Sequence, residues 1–215
     1  GKVEVSSKDS AYINADIKVS GENGNNGELL IDPKNITIST SGFSSAGYYN
    51  IPFTDPNPAA NNNFGRAISA LSTGNILVSS PGDDSGASDA GAIYLFNGET
   101  GSLISTMRSN IASTSLGNSA ADIIKLTSNG NFVVRNTGWN TSRGIVAWGD
   151  GTNGTNAIID ATNSLSGSSA SDQVGGAIAL LTNGNYVVGS PNANGGRGYA
   201  TFVYGNNGHI ADTGS

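Results

Sequence analysis

The feature that most constrains this chain is a sentence said three times. Leu71 opens "LSTGNILVSSPGDDSG", Leu126 opens "LTSNGNFVVRNTGWNT", and Leu181 opens "LTNGNYVVGSPNANGG". Gly74-Asn75, Gly130-Asn131 and Gly184-Asn185 each precede a short apolar run, at offsets of 56 and 54. A second anchor follows each time: Gly91-Ala92-Ile93-Tyr94, Gly144-Ile145-Val146-Ala147 and Gly198-Tyr199-Ala200-Thr201, at offsets of 53 and 54. Two independent anchors sharing one spacing mark an internal repeat, which is the signature of blades, solenoids or arrays. A third element precedes them, as "FGRAISAL", "ADIIKL" and "VGGAIALL", and a polar turn closes each unit at "NGETG", "GDGTNG" and "GNNG".

Each unit of about 54 residues thus holds about four short strands. They are of the types "FGRAISAL", "NILVSS", "GAIYLF", and "SLIST" or "NAIID". Strand and turn at this density predict a meandering antiparallel sheet. One such sheet is too small to bury its own face, and stacking on its neighbours buries it. The expected fold is all-β: three four-stranded, blade-like repeats over residues 61–215. Three blades are fewer than a closed propeller normally uses. The options are a β-prism-like or trefoil-like closure, a piece of a larger propeller, or an open array completed by another copy.

Residues 1–42 carry a different pattern. In "AYINADIKV", Ala11, Ile13, Ala15, Ile17 and Val19 share one face, the period of two expected of a half-buried strand. "ENGNNGE" interrupts it and "LLIDPKNITIST" resumes it, so that Pro33 places the second strand after itself or at an edge. This segment is expected to supply β-helix-like or connector strands, able to add to a sheet edge of another copy. Residues 43–60, rich in Gly, Ser and Pro, read as a linker loop.

Composition narrows the function. Ten Lys+Arg against 16 Asp+Glu give a net charge of −6, which argues against nucleic acid and against an anionic membrane surface. The absence of cysteine excludes disulfides, thiolate metal sites and cysteine nucleophiles. No apolar run approaches the length needed to span a bilayer. "GKVEVSSKDS" has neither the basic nor the apolar region of a secretion signal and already reads as a strand, which favours a processed chain or a fragment of a longer one.

Two resemblances follow from particular residues. "AYINADIKVSGENGNNGELLIDPKNITIST", above all "LLIDPKNITI", resembles the repetitive region of filamentous-haemagglutinin-like exoproteins of two-partner secretion. The remainder is similar to repeats of large bacterial surface adhesins and to the blades of integrin-type FG-GAP propellers. That likeness rests on Phe64-Gly65, Ser80-Pro81 and Gly91 to Phe96. The Asp-x-Asp-x-Asp-Gly calcium loop of integrin blades is missing, and the second unit reads Asn136-Thr137-Gly138 in place of Ser-Pro. The resemblance implies a secreted or surface-displayed structural or adhesive protein with no enzymatic activity. Its implied partners are further copies of itself, or a glycan or protein on a cell surface.

Individual residues give few leads to chemistry. Asp83, Asp84 and Asp89 share one Gly-rich loop and are the candidate calcium ligands, against the alternative that they cap the turn. Trp139, in the polar turn "NTGWNTSRG", is the candidate ligand or partner contact. Tyr94, Trp148 and Phe202 occupy corresponding places and read as core packing between sheets or as a stacking face for sugars, in company with Tyr186, Tyr199 and Tyr204. His209 is the one histidine and is expected in a solvated loop. Asp150, Asp160 and Asp172 all sit in turn contexts, which disfavours a glycosidase pair. Sequons occur at Asn35, Asn140 and Asn153. A carbohydrate-binding module of lectin type is the second expectation.

Overall fold

A computed structural model describes residues 2–7, 28–33 and 52–209. The chain divides into two compact units, residues 1–51 and 52–215. In the first, β1 (Lys2–Ser7) pairs in parallel with β2 (Glu28–Pro33), Lys2 opposite Glu28 and Ser7 opposite Pro33. The strand ends at Pro33 rather than beginning after it, at a position where the missing proline N–H interrupts no longer ladder. The alternating stretch carrying Ala11, Ile13, Ala15, Ile17 and Val19 lies outside the described residues.

The second unit is three successive antiparallel sheets. The first runs β3 (Ile68–Ala70), β4 (Ile76–Ser80), β5 (Ala92–Phe96), β6 (Leu103–Ser109). The second starts with β7 (Ile123–Leu126), β8 (Asn131–Asn136) and β9 (Ile145–Gly149). The expected fourth strand here, "NAIID", does not join its own sheet. As β10 (Ala157–Ile159) it pairs in parallel with β6, Ala157 opposite Met107, and puts Ile159 into the core shared by the first two sheets. The edge beside β9 is taken by β11 (Leu165–Ser166). The third sheet has three strands, β12 (Ala177–Leu180), β13 (Tyr186–Ser190) and β14 (Tyr199–Val203). No described element closes the sheets into a barrel.

The repeated Gly-Asn is the hairpin turn of each sheet. Gly74 and Gly184 have φ of +88° and +86°, a region that favours glycine, and Leu71 N–H and Leu181 N–H close the turns on Asn75 and Asn185 carbonyls at 2.9 Å. The central strands are covered on both faces, which is why they read as continuous apolar runs. Leu77, Ile93, Leu95 and Met107 of the first sheet pack on Phe132, Val134 and Ile145 of the second. Val133 and Val146, on its other face, pack on Tyr186, Val188 and Val203 of the third. Each such side chain contributes about 1.5–3 kcal/mol on burial. On the outer face of the first sheet, Tyr94 and Phe96 are covered by Phe64 and by Phe53, whose ring meets Phe96 edge-on at 5.5 Å. Residues 52–60, a linker by composition, therefore belong to the packed unit.

Polar contacts repeat at the junctions as regularly as the apolar ones. Asn75 Nδ2 donates to Gly151 O at 2.8 Å, and Gly151 N–H donates to Asn131 Oδ1 at 3.2 Å. Asn131 Nδ2 in turn donates to Gly205 O at 3.1 Å, and Gly205 N–H to Asn185 Oδ1 at 3.1 Å. One asparagine ladder thus runs through all three units. The connections between sheets form a second repeated device. Ser113, Ser115 and Leu116 donate their N–H groups to Ser88, Asp89 and Ala90 carbonyls at 2.8–3.0 Å. Ser171, Gln173 and Val174 do the same to Thr141, Ser142 and Arg143 at 3.0–3.2 Å. Each connection is a strap clipped to the loop of the sheet it leaves.

Candidate interaction surfaces

The three aspartates of the first loop do not converge. Asp83 is 1% exposed and points inward. Its carboxylate accepts from Ser85 N–H at 2.8 Å, from Asn57 Nδ2 at 3.3 Å and from the Tyr94 hydroxyl. Asp84 Oδ1 instead accepts from Asp89 N–H at 2.7 Å. Among the described residues no group of three acidic or histidine side chains is arranged to hold a metal ion. The loop's acids thus hold a turn and a tyrosine, because buried N–H and O–H donors outnumber any other use for their oxygens. Burial, and then the Asp83 carboxylate, push the Tyr94 hydroxyl far above its ordinary value.

Trp139 is corrected in the same way. It is 4% exposed and lies in the core between the first and second sheets, with its Nε1 unpartnered. The turn around it is polar, but Asn140 and Thr141 adopt left-handed φ values of +46° and +58°, which turns the indole inward. Trp148 is the more accessible tryptophan, and its Nε1 donates to Gly205 O at 2.8 Å. By strand register it corresponds to Leu95 and Phe202, whereas Tyr94 corresponds to Ala147 and Thr201.

The remaining carboxylates stay apart. Asp150 caps Thr152 and Asn153 N–H groups at 2.8 and 2.9 Å. Burial works to raise its carboxyl, but hydrogen bonds from Asn153 and Thr152 outweigh this and hold it below the usual range. Asp160 is held low by the Thr162 hydroxyl and N–H, and Asp172 accepts from Ser169 N–H at 2.8 Å. Each carboxylate serves its own turn.

A cleft of about 650 Å³ is lined by Trp148, Thr162, Asn163, Leu165, Asn207 and the exposed His209, among others. An aromatic wall beside amide and hydroxyl groups is chemistry suited to a sugar ring. The sequence reading missed this site because its walls come from two different units. It also missed the ladder, whose asparagines were visible but read as turn residues alone.

Residues 52–96 match the model of the FG-GAP repeat, so the first sheet is similar to integrin-type repeats. Residues 126–176 and 180–213 match a repeat of unknown function (DUF5650). No curated protein matches the chain. Among the described residues no helix is long and apolar enough to cross a membrane.

Proposed function

We propose that this chain is a non-catalytic, secreted structural or adhesive surface protein, built on propeller-like stacking of its blades. The observation that carries the reading is the repeated junction. Asparagine, glycine and backbone groups recur at equivalent places in both junctions, which is how an array protein presents an extended surface. The match to FG-GAP repeats supports it, and so does the resemblance of residues 11–40 to haemagglutinin-like exoproteins. One form of the proposal is self-assembly by the alternating strand Ala11, Ile13, Ala15, Ile17 and Val19, added to a sheet edge of another copy. Immunogold labelling of intact cells with antibody to the chain tests the location. Label on the cell exterior is the expected result, and label confined to the interior rules the reading out.

The cleft beside Trp148 favours a second reading, a lectin-like module. A glycan array read with the native chain and with His209→Ala tests it. A sugar class bound by the native chain and weakened at least several-fold by the substitution supports it, and a blank array removes it.

A further inference from the structure

The two junctions between sheets define what a third would look like, and both of its halves are present and, among the described residues, largely uncovered. Leu71 is 6% exposed and Leu126 is 2% exposed, because each lies under the closing turn of the next unit. A Cβ built on Gly151 would lie 2.9 Å from Leu71 Cδ1, and one on Gly205 3.3 Å from Leu126 Cδ1. Leu181 holds the same place in the third unit and is 37% exposed. The turn glycines tell the same story from the other side. A Cβ on Gly130 would meet Thr73 Cγ2 at 2.5 Å and one on Gly184 would meet Ser128 Oγ at 2.6 Å, each from the preceding unit. At Gly74, and at Gly65, nothing lies within 4 Å.

The decisive match is in the strap. Met107–Gly117 and Leu165–Gly175 are equivalent eleven-residue stretches, each supplying a strand antiparallel to β5 or β9 and then the three clipping N–H groups. Asp55–Gly65 aligns with both without a gap. Its left-handed residues fall in the same alternating places: Asn61, Asn63 and Gly65 at φ +67°, +54° and +88°. The corresponding values are +58°, +50° and +76° at Ser113, Ser115 and Gly117, and +67°, +55° and +88° at Ser171, Gln173 and Gly175. A non-glycine residue rarely adopts such a φ, so this shape does not recur by chance three times. Yet the N–H groups of Asn61, Asn63 and Phe64 find no partner among the described residues. In the third unit the matching carbonyls, Gly195, Gly196 and Arg197, are exposed and likewise without a donor among the described residues. Among the described residues the third sheet has three strands, and β14 carries Tyr199 at 59% exposure.

We infer that the third sheet of one copy takes the segment 55–65 of a second copy, head to tail. Residues 55–57 add a strand to β14, in the antiparallel register that sets Ser166 opposite Ile145, so that Pro56 faces Tyr199. Ser109 and Gly167 N–H groups bond to Gly91 and Gly144 carbonyls at 3.2 and 3.1 Å; Asn57 N–H, which donates to Asp55 Oδ1 at 3.0 Å within its own chain, exchanges that partner for the Gly198 carbonyl in the joint. Asn61, Asn63 and Phe64 then clip to the loop 195–197, and Leu181 is covered by the Gly98 turn. The occupant is a second copy because its segment 55–65 repeats the backbone φ pattern of the two straps already built and offers N–H groups at the same three places. The joint stands whether or not the copies serve adhesion, and it differs from exchange of the strand at residues 11–19.

The chain has no cysteine, so paired substitutions report the contact directly. Pro56→Cys and Tyr199→Cys are made on separate copies, each at an exposed position, mixed one to one and oxidised. The expected result is a crosslinked species of twice the chain mass in the mixture and in neither variant alone. Adding Leu181→Arg to the Tyr199→Cys copy is expected to abolish it with the melting temperature unchanged. A mixture that crosslinks no more than its components overturns the inference. So does a crosslink that survives Leu181→Arg, and so does assembly, read by sedimentation velocity, that is lost in Ile13→Lys yet kept in Leu181→Arg.

Discussion

Asn131 is the middle rung of the ladder, and its removal tests whether the ladder holds the units together. It is 9% exposed, accepts from Gly151 N–H at 3.2 Å and donates to Gly205 O at 3.1 Å. In Asn131→Ala the two losses are unequal. Gly205 O keeps Asn129 Nδ2 at 2.9 Å and Trp148 Nε1 at 2.8 Å, so losing one donor costs about 0.5–1 kcal/mol. Gly151 is buried and its N–H keeps no partner, which costs about 1–3 kcal/mol. The sum is about 1.5–4 kcal/mol, which in a chain of this size lowers the melting temperature by roughly 3–16 °C. Asn185→Ala leaves the buried Gly205 N–H unpartnered, at about 1–3 kcal/mol but without the second loss, and Asn75→Ala leaves Gly151 O with the Thr73 hydroxyl at 3.0 Å, at about 0.5–1 kcal/mol. Thermal and urea unfolding followed by circular dichroism, at low protein concentration, gives the ranking. An Asn131→Ala variant no less stable than Asn185→Ala would refute the reasoning that the middle rung bears on two junctions at once.

Three further outcomes follow from the same contacts. Tyr94 keeps its proton in the folded state well above its ordinary value of 10.0, while the unfolded chain releases it there. Folding should therefore lose about 1.4 kcal/mol per pH unit as pH rises beyond 10, and Tyr94→Phe should flatten that slope in urea titrations while costing about 1–3 kcal/mol at neutral pH. Gly151→Ala drives a methyl group onto the Gly130 carbonyl and should cost about 1–3 kcal/mol or more, whereas Gly74→Ala meets nothing and should cost about 1 kcal/mol through its φ of +88° alone; unfolding midpoints decide. In Trp148→Phe the remaining tryptophan is Trp139, and acrylamide should barely quench it; strong quenching would contradict its burial.

The strand content, the three units and their hairpin turns were legible because they are local. Period-two alternation, Gly-Asn before an apolar run and a fixed offset need no knowledge of neighbours in space. Residue roles in the loops were not legible in this way. Polarity put Trp139 outside and Asp83 on a metal, whereas two left-handed residues and a tyrosine hydroxyl turned both inward. The strap at 55–65 was hidden for a related reason. Its kinship with 107–117 and 165–175 lies in backbone φ and in hydrogen-bond direction, while few side chains are shared.

The sequence by itself determined that this chain makes small β units, and how many, since glycine turns and apolar spacing act within a few residues. The tertiary structure alone decided which strand joins which sheet. "NAIID" left its own sheet for the preceding one because Ile159 finds a buried place there. It decided too that the repeated asparagines are rungs between units, because that requires a carbonyl from 76 residues further along the chain to arrive at Asn75. Which surface stays open among the described residues was also a tertiary matter: Leu71, Leu126 and Leu181 are the same residue in the same local setting, and what separates them is whether the closing turn of another described unit packs on top.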